Sequence, residues 1–179
     1  MTTSKTQWSK LIPAFFAFIV MGFVDIIGVA TGYIQIDFEL TSFIAQFLPM
    51  MVLLWFFVLA VPAGVLQDKY GKRNMLMIGM VIQAVGLGLP FVNYSFAMMF
   101  ASFILLGIGN TIIQVSANPL LQDVSPAEKL ASFLSTSQFV KAIISFSGPL
   151  IAAFMASFFG DWRLVLAAYG LTSLIGALW

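Results

Sequence analysis

The sequence predicts an all-α membrane protein with six transmembrane helices. Hydrophobic residues make up 61% of the 179 residues and charged residues only 8%, whereas a soluble domain has about 25% charged residues. The apolar residues fall in long runs separated by short polar breaks, and about 20 helical residues cross the ~30 Å hydrocarbon core of a bilayer. These runs lack the alternation of apolar and polar residues that barrel strands need. Lipid is therefore the expected solvent of most of the chain.

The first three predicted helices are each bounded by polar or charged residues. In chain order they cover about residues 11–36, 43–66 and 74–93. The first follows a polar tail, residues 1–10, and stops at the acidic segment 37–39. The second ends where the basic segment 67–73 begins, and the third ends at Asn93. Each run approaches or exceeds the length that crosses a bilayer, so three spans are expected here.

The other three predicted helices cover about residues 96–122, 130–157 and 164–179. The polar segment 123–129 separates the fourth from the fifth, and the segment 160–163 separates the fifth from the sixth. The last run has about 16 residues, or roughly 24 Å at 1.5 Å per residue, and no polar residue follows it. We therefore expect the native chain to continue beyond Trp179, with its C-terminal half absent from this sequence.

The basic residues predict one orientation in the membrane. Of the Lys and Arg residues outside the spans, only Arg163 falls on the side opposite the N-terminus, together with Asp37 and Glu39. Cytoplasmic segments carry the excess of Lys and Arg. The tail of residues 1–10 is therefore expected to be cytoplasmic. The basic residues on its side are Lys5, Lys10, Lys69, Lys72, Arg73 and Lys129.

A patterned loop joins the second and third predicted helices. It reads Gly, three residues, Asp, a basic residue, any residue, Gly and two basic residues. This pattern resembles the signature loop between helices 2 and 3 of major facilitator superfamily transporters. The matching residues are Gly64, Asp68, Lys69, Gly71, Lys72 and Arg73.

The resemblance implies an architecture for the whole transporter. Major facilitators are built from two six-helix halves, each a three-plus-three inverted repeat. The chain would be the N-terminal half, and the C-terminal six-helix half would be its partner. Gly64 and Gly71 would permit close packing and a tight turn, while Asp68 would accept hydrogen bonds from a neighbouring helix N-terminus or basic group. The basic residues of the loop would also contact anionic lipid.

Two charged residues fall deep inside predicted helices. Asp25 lies ~21 Å along the first helix from Leu11, and Lys141 lies ~16 Å along the fifth helix from Leu130. Both helices run in the same direction, so the two charges lie at similar depth near the midplane. Each costs about 2.5–3.5 kcal/mol to insert. We therefore expect Asp25 and Lys141 to face each other across a central cavity. A salt bridge that only tethers the two helices is the alternative.

Amide side chains add a polar stripe near these charges. The fourth helix carries Asn110, Gln114 and Asn118 at intervals of four residues, and the fifth carries Gln138. Residues four apart lie on one face of a helix. Contact with a substrate is expected for Gln114, which is close in depth to the two charges. For Asn118, substrate contact and interhelical hydrogen bonding, worth about 0.6 kcal/mol, are both open.

Several residues resemble the fucose–galactose–glucose:proton symporter branch of this superfamily. The fourth helix carries Ala-Asn-Pro at residues 117–119, and Asp25 matches an aspartate on helix 1 of that branch. Gln114 stands where the branch often has a glutamate, and Lys141, three residues after Gln138, stands where fucose permease has an asparagine. These departures put a proton site on the fourth helix in doubt and add a positive charge to the pocket.

The resemblance to that branch implies proton-coupled uptake of a sugar by alternating access, in a bacterial inner membrane, with Asp25 as the coupling group. Lys141 opens an alternative in which the substrate is a sugar acid or another small anion, and sodium is an alternative coupling ion. Drug antiporters of the superfamily carry Gly-Pro-x-x-Gly-Gly on helix 5. Here Ala152 and Ala153 replace the last two glycines, so an antiporter is not expected.

Other classes of protein fit the sequence less well. A non-transporting six-helix sensor or scaffold is the remaining alternative for a membrane protein. No enzyme activity, metal site or cofactor is expected, because the chain has no Cys and no His. A net charge of +1 gives no electrostatic basis for binding nucleic acid.

Overall fold

The computed structural model describes residues 8–178, except for the side chains of residues 8–10 and 13. The described chain is helical apart from short connections. Short 3-10 segments cover Phe23–Ile26 and Ala127–Lys129. Residues 1–7 of the predicted tail lie outside the described residues, as does Trp179. The α-helices are α1 (Trp8–Gly22), α2 (Ile27–Asp37), α3 (Ser42–Ala45), α4 (Phe47–Tyr70), α5 (Lys72–Val92), α6 (Phe96–Val124), α7 (Leu130–Phe159) and α8 (Leu164–Ala177).

Five helical segments of the described chain are long and apolar enough to cross a membrane. They cover Ala14–Asp37, Ser42–Tyr70, Lys72–Val92, Phe96–Val124 and Ala127–Phe159. Helix α8 has 14 residues and reaches roughly 21 Å at 1.5 Å per residue, less than the ~30 Å of a typical hydrocarbon core. The predicted all-helical membrane fold is thus confirmed for five spans. The sixth span and the cytoplasmic N-terminus stay predictions.

Helix α5 packs between α6 and α8, and glycines allow the close approach. A Cβ atom built on Gly109 of α6 would lie 2.7 Å from the backbone nitrogen of Gln83 in α5. A Cβ on Gly86 of α5 would lie 2.8 Å from Leu105 Cβ in α6. Small residues let membrane helices approach closely enough to gain van der Waals contact. These three helices form a scaffold against which α1 also packs.

The first predicted helix is not the continuous α-helix that the sequence predicts; we call α1, the 3-10 segment and α2 together helix 1. The 3-10 segment Phe23–Ile26 separates α1 from α2, and Asp25 lies within it. A 3-10 segment has a tighter turn than an α-helix and often marks a hinge. Its apolar residues are buried, whereas Asp25 is exposed. The charged side chain therefore points away from the packed core at the place where the helix changes form.

The predicted loop of residues 67–73 is reduced to a single residue. Helix α4 continues through Tyr70 and α5 begins at Lys72, so only Gly71 lies between them. Gly71 has a φ of 88°, which glycine adopts without steric cost. Helix α4 thus extends four residues beyond the predicted 66, and α5 begins two residues before the predicted 74. Polar side chains end a membrane-spanning segment, but most of those present here are good helix formers, so the helix itself continues.

Helices α4 and α7 expose long apolar faces. Leu53, Phe57 and Val61 of α4 are 70%, 84% and 75% exposed, and Phe146 of α7 is 75% exposed. The spans that contain these helices are mostly unburied, in contrast to the spans of α1 and α6. In a membrane, such faces contact either lipid or another helical unit.

Candidate functional site

The carboxylate of Asp25 is held where helix 1 contacts α7. The Ser145 hydroxyl donates a hydrogen bond to Oδ2 of Asp25. The same Oγ lies 2.9 Å from the backbone oxygen of Lys141, one turn earlier in α7. The structure therefore joins the two helices that carry the predicted intramembrane charges, through Ser145. Ser145 follows Lys141 by four residues and so lies on the same face of α7.

Asp25 and Lys141 lie on contacting segments, but the tethering salt bridge, which was the alternative to charges facing across a cavity, is not found in the described chain. Within the described residues, no carboxylate oxygen lies within 4 Å of the Lys141 ammonium. The register of the two helices places Ser145, one turn beyond Lys141, opposite Asp25. Lys141 is half-buried and Asp25 is exposed, so neither side chain is sealed inside the packed core.

Gly22 sets the spacing between helix 1 and α7. A Cβ atom built on Gly22 would lie 2.8 Å from Ile144 Cβ and 3.0 Å from the Lys141 backbone oxygen. The two backbones could not approach this closely with a larger residue. Because Asp25 follows Gly22 by three residues, it meets α7 about one turn further along, at Ser145.

The three amides of α6 lie in different environments although they are spaced four residues apart. Asn110 is 3% exposed, and within the described chain its Oδ1 has no hydrogen-bond partner. Gln114 and Asn118 are half-buried, and the Asn118 amide lies 3.5 Å from the Gln114 backbone oxygen, at the limit of a hydrogen bond. With 3.6 residues per turn, a spacing of four rotates slowly around the helix. The polar stripe therefore starts in the packed interior at Asn110 and becomes more accessible at Gln114 and Asn118.

Gln138 lies on the exposed side of α7, three residues before Lys141. Its neighbour Ser137 is buried and donates a hydrogen bond of 2.8 Å to the Leu134 backbone oxygen. Gln138 is thus accessible in the described chain, whereas Ser137 is committed to its own helix.

The signature-loop residues lie together at one end of the helices. Lys72 forms an ion pair with Asp123 at the end of α6, with 2.6 Å between Nζ and Oδ2. The expected close packing at Gly64 is not found within the described chain, because a Cβ there would meet only Val115, at an ordinary 3.9 Å. The exposed members of the loop are Asp68, Lys69, Gly71 and Arg73.

The opposite end of the helices carries a polar network, which we call the Asp37 cluster: Asp37, Tyr94, Asp161, Trp162 and Arg163. The Tyr94 hydroxyl and Trp162 Nε1 both donate to Oδ2 of Asp37, the latter over 3.0 Å. The Arg163 guanidinium lies 4.2 Å from the centre of the Tyr94 ring and 2.6 Å from the Asp161 carboxylate. The cluster ties the end of α2 to the α5–α6 and α7–α8 connections.

Tyr94 provides a test of the Asp37 cluster. Burial raises the pKa of Tyr94 well above its ordinary value of about 10, and the hydrogen bond to Asp37 and its negative charge raise it further. Tyr94 lies in the connection between α5 and α6. We expect Asp37→Asn to lower the pH at which Tyr94 ionises, because the amide has no charge to oppose the phenolate. Ultraviolet absorbance titration, with Tyr94→Phe as the subtraction, measures this ionisation.

The raised pKa of Tyr94 also determines how the stability of the folded protein changes with pH. The folded protein holds Tyr94 neutral, so this contribution to stability is complete below about pH 10 and is lost as the pH rises from there towards the raised pKa. Asp123→Asn, at the opposite end of the helices, is the matched control and should leave the Tyr94 titration unchanged. Identical titrations in Asp37→Asn and the unmodified protein would contradict the prediction.

Comparison with known proteins identifies the family. The sequence profile described as Major Facilitator Superfamily matches residues 14–179. A glucose/galactose transporter from Brucella abortus biovar 1 (strain 9-941) is 28% identical over 101 residues, which are 55% of this chain and 24% of that protein. The multidrug resistance protein MdtH from Salmonella paratyphi B (strain ATCC BAA-1250 / SPB7) is 24% identical over 163 residues, 91% of this chain and 37% of that protein.

A third relative is a multi-drug resistance efflux pump PmrA homolog from Lactococcus lactis subsp. lactis (strain IL1403). It is 26% identical over 117 residues, 65% of this chain and 28% of that protein. The chain thus spans well under half the length of these curated relatives. The profile match covers nearly all of the described helices and confirms the resemblance first indicated by the loop between α4 and α5. The chain belongs to the Major Facilitator Superfamily.

Proposed function

We propose that the chain is the N-terminal six-helix half of a secondary-active transporter that takes up a sugar together with protons by alternating access. The observation that carries the proposal is the Asp25 carboxylate, which lies in the 3-10 interruption of helix 1 and accepts a hydrogen bond from α7. Ionisable groups inside membrane helices are costly and mark ion and proton pathways. The similarity to a glucose/galactose transporter supports a sugar as the substrate.

In this proposal each polar residue of the site has a role. Asp25 is the coupling group, and it exchanges one proton in each transport cycle. The half-buried Gln114 and Asn118 and the exposed Gln138 supply amides that can both donate to and accept from sugar hydroxyls. Asn110, with a buried Oδ1 that has no partner in the described chain, would gain one when the helices rearrange. Sodium bound at the same carboxylate is the alternative coupling ion.

A second candidate substrate is a small anion such as a sugar acid. It is favoured by the Lys141 ammonium, which is half-buried and has no carboxylate within 4 Å among the described residues. Such a group binds a carboxylate or phosphate as a point charge. The neutral sugar is preferred, because the nearby Asp25 carboxylate offsets the positive charge and would repel an anion.

The multidrug relatives raise a further alternative, which is efflux of a drug. Helix α7 argues against it, because Ala152 and Ala153 stand where drug antiporters have two glycines. A non-transporting sensor or scaffold would tolerate replacement of Asp25 and Lys141 by an apolar pair without loss of function. The proposed transporter would not.

The proposal also assigns a partner to the exposed faces of the chain. The apolar faces of α4 and α7, which include Leu53, Phe57 and Phe146, would contact a C-terminal six-helix half or lipid. The signature loop would hold the two halves together on the cytoplasmic side, with Asp68 as the acceptor and the basic residues near anionic lipid. The chain would reside in a bacterial inner membrane, in keeping with its bacterial relatives.

The test is substrate-driven proton movement in liposomes that contain the transporter of which this chain is part. Glucose, galactose and glucuronate are added outside in turn, and the internal pH is followed with a trapped dye. The proposal expects the interior to acidify with a neutral sugar. Acidification with glucuronate alone would select the anion, and uptake that follows a sodium gradient without acidification would select sodium. If the folded protein responds to none of them, sugar and sugar-acid transport are both contradicted.

A further inference from the structure

We propose that Ser145 positions the Asp25 carboxyl group in both of its protonation states. This inference rests on the proposed coupling role of Asp25 and names the residue through which that role is exerted. Two contacts carry it: the Ser145 hydroxyl donates to Asp25, and the same Oγ lies 2.9 Å from the Lys141 backbone oxygen.

The ionised state of Asp25 leaves Ser145 with a choice between two acceptors. A serine hydroxyl has one proton to donate and two lone pairs with which to accept. Asp25 Oδ2 and the Lys141 backbone oxygen both lie within hydrogen-bond distance of Ser145 Oγ. The single proton can reach only one of them at a time. It goes to the carboxylate, because a hydrogen bond to a charged acceptor is roughly twice as strong as one between neutral groups.

Protonation of Asp25 removes this competition. The carboxyl group then donates its proton to Ser145 Oγ, and the hydroxyl is left to donate to the Lys141 backbone oxygen. Asp25 takes up one proton, and Ser145 then forms hydrogen bonds to both Asp25 and the Lys141 backbone oxygen at the same time. The hydroxyl proton of Ser145 therefore points to Asp25 when Asp25 is ionised and to the Lys141 backbone oxygen when Asp25 is protonated. The hydrogen bonding of α7 thus changes with the charge of Asp25.

The register of the helices explains why Asp25 meets Ser145 and not Lys141. The backbone of α1 passes over α7 at Gly22, where an added Cβ would lie 3.0 Å from the Lys141 backbone oxygen. Asp25 follows three residues later and so faces the next turn of α7. This geometry depends on the backbone contact at Gly22, which does not involve the Lys141 ammonium.

Apart from Lys141, the charged groups on the helices around the 3-10 segment are engaged elsewhere. The segment packs against α1, α2, α6 and α7, and the ring of its Phe23 stacks on Tyr169 of α8. The Tyr169 hydroxyl is buried and has no hydrogen-bond partner in the described chain. Among the described side chains of these helices, Lys141 is the one charged or titratable group close in sequence to Ser145 on α7. The remaining titratable residues of these helices whose side chains are described each have another partner. Tyr33 stacks on Trp162, Asp37 accepts a hydrogen bond from Tyr94, and Asp123 pairs with Lys72.

The test is the pH dependence of proton-driven sugar uptake by the transporter that contains this chain. In Ser145→Ala, the ionised carboxyl group loses a stronger hydrogen bond than the protonated one, so the proton-bound form of the site is favoured. We expect the pH midpoint of uptake to rise by about half a unit to one unit. Ser147→Ala is the matched control, because Ser147 lies on the same helix and, among the described residues, its hydroxyl bonds only to the Ile144 backbone oxygen, at 2.8 Å.

Ser145→Thr keeps a hydroxyl at this position and is expected to restore the original midpoint. A purely structural role would lower the amount of folded transporter without moving the midpoint, and thermal unfolding of each variant measures that separately. An unchanged midpoint in Ser145→Ala, or one that falls because Lys141 takes over the carboxylate, would overturn the inference. Loss of coupling in Asp25→Asn with identical profiles for Ser145→Ala and Ser147→Ala would overturn this inference and leave the proposed function intact.

Discussion

Asp25→Asn is expected to reduce proton-driven concentrative uptake to the background of empty liposomes, while sugar exchange between the two sides of the membrane continues. The amide has nearly the shape of a protonated carboxyl group and can still bond to Ser145, which is the partner of Asp25 in the structure. It cannot take up or release a proton. The transporter would therefore still bind sugar and alternate between its inward-open and outward-open states, but sugar movement would no longer follow the proton gradient. Counterflow of labelled sugar at equal pH, measured beside uptake with a pH gradient, separates the two activities.

Asp123→Asn is the matched control for this prediction. It removes a carboxylate of the same type, but one in a partly exposed ion pair with Lys72, and exposed ion pairs contribute about 0.2–1 kcal/mol. Concentrative uptake should persist in this variant. If Asp25→Asn retained concentrative uptake, the coupling role would be wrong. If it lost exchange as well as concentrative uptake, Asp25 would belong to substrate binding and not to coupling.

The helical fold could be predicted from the sequence because the bilayer imposes a length on each apolar run. Five predicted runs correspond to helices long enough to cross, and their polar ends mark where water begins. The family could be predicted because the spacing of Gly64, Asp68 and Gly71 is specific. The exact ends of α4 and α5 could not be predicted, because the polar residues that mark the end of a membrane span can themselves remain helical. The chain turns only at Gly71.

The partners of the charged residues were harder to predict than their positions. The expected depth of Asp25 and Lys141 comes from counting residues along two helices. The contact that Asp25 makes depends on how helix 1 is rotated and shifted against α7. That register is set by the glycine contact of Gly22 with Ile144 and by the 3-10 turn, and neither appears in the spacing of polar residues.

Contacts between residues far apart in the chain show the same limit. Lys72 and Asp123 are 51 residues apart, and Asp37 and Trp162 are 125 apart. Each of these residues occurs at a polar break that the sequence marks clearly. Nothing local indicates which breaks meet, because that is decided by the packing of the helices between them.

Gly109→Ala is expected to destabilise the transporter more than any other glycine to alanine change in α5 or α6. The added Cβ would lie 2.7 Å from the Gln83 backbone nitrogen and 2.7 Å from the Gly79 backbone oxygen. Backbone atoms in a packed helix cannot turn aside as a side chain can, so α5 and α6 must move apart. Overpacking of this kind costs about 1–3 kcal/mol and sometimes more. Thermal unfolding in detergent should show a midpoint several degrees lower.

Two other glycines separate this effect from a general intolerance of substitution. Gly88 lies in α5, and no atom of the described chain lies within 4 Å of an added Cβ. Gly88→Ala should therefore stabilise the helix by about 0.5–1 kcal/mol, since alanine loses less backbone entropy than glycine. Gly176→Ala would meet the ring of Phe16 at 2.7 Å. A ring can rotate or shift where a backbone cannot, so an intermediate effect is expected there. The stability of the three alanine variants should therefore depend on whether the added Cβ meets backbone, a side-chain ring or no atom, and not on the contact distance alone. If Gly109→Ala unfolded at the same temperature as Gly88→Ala, the backbones of α5 and α6 could not be in contact at Gly79 and Gly109, and the scaffold that supports helix 1 would have to be packed differently.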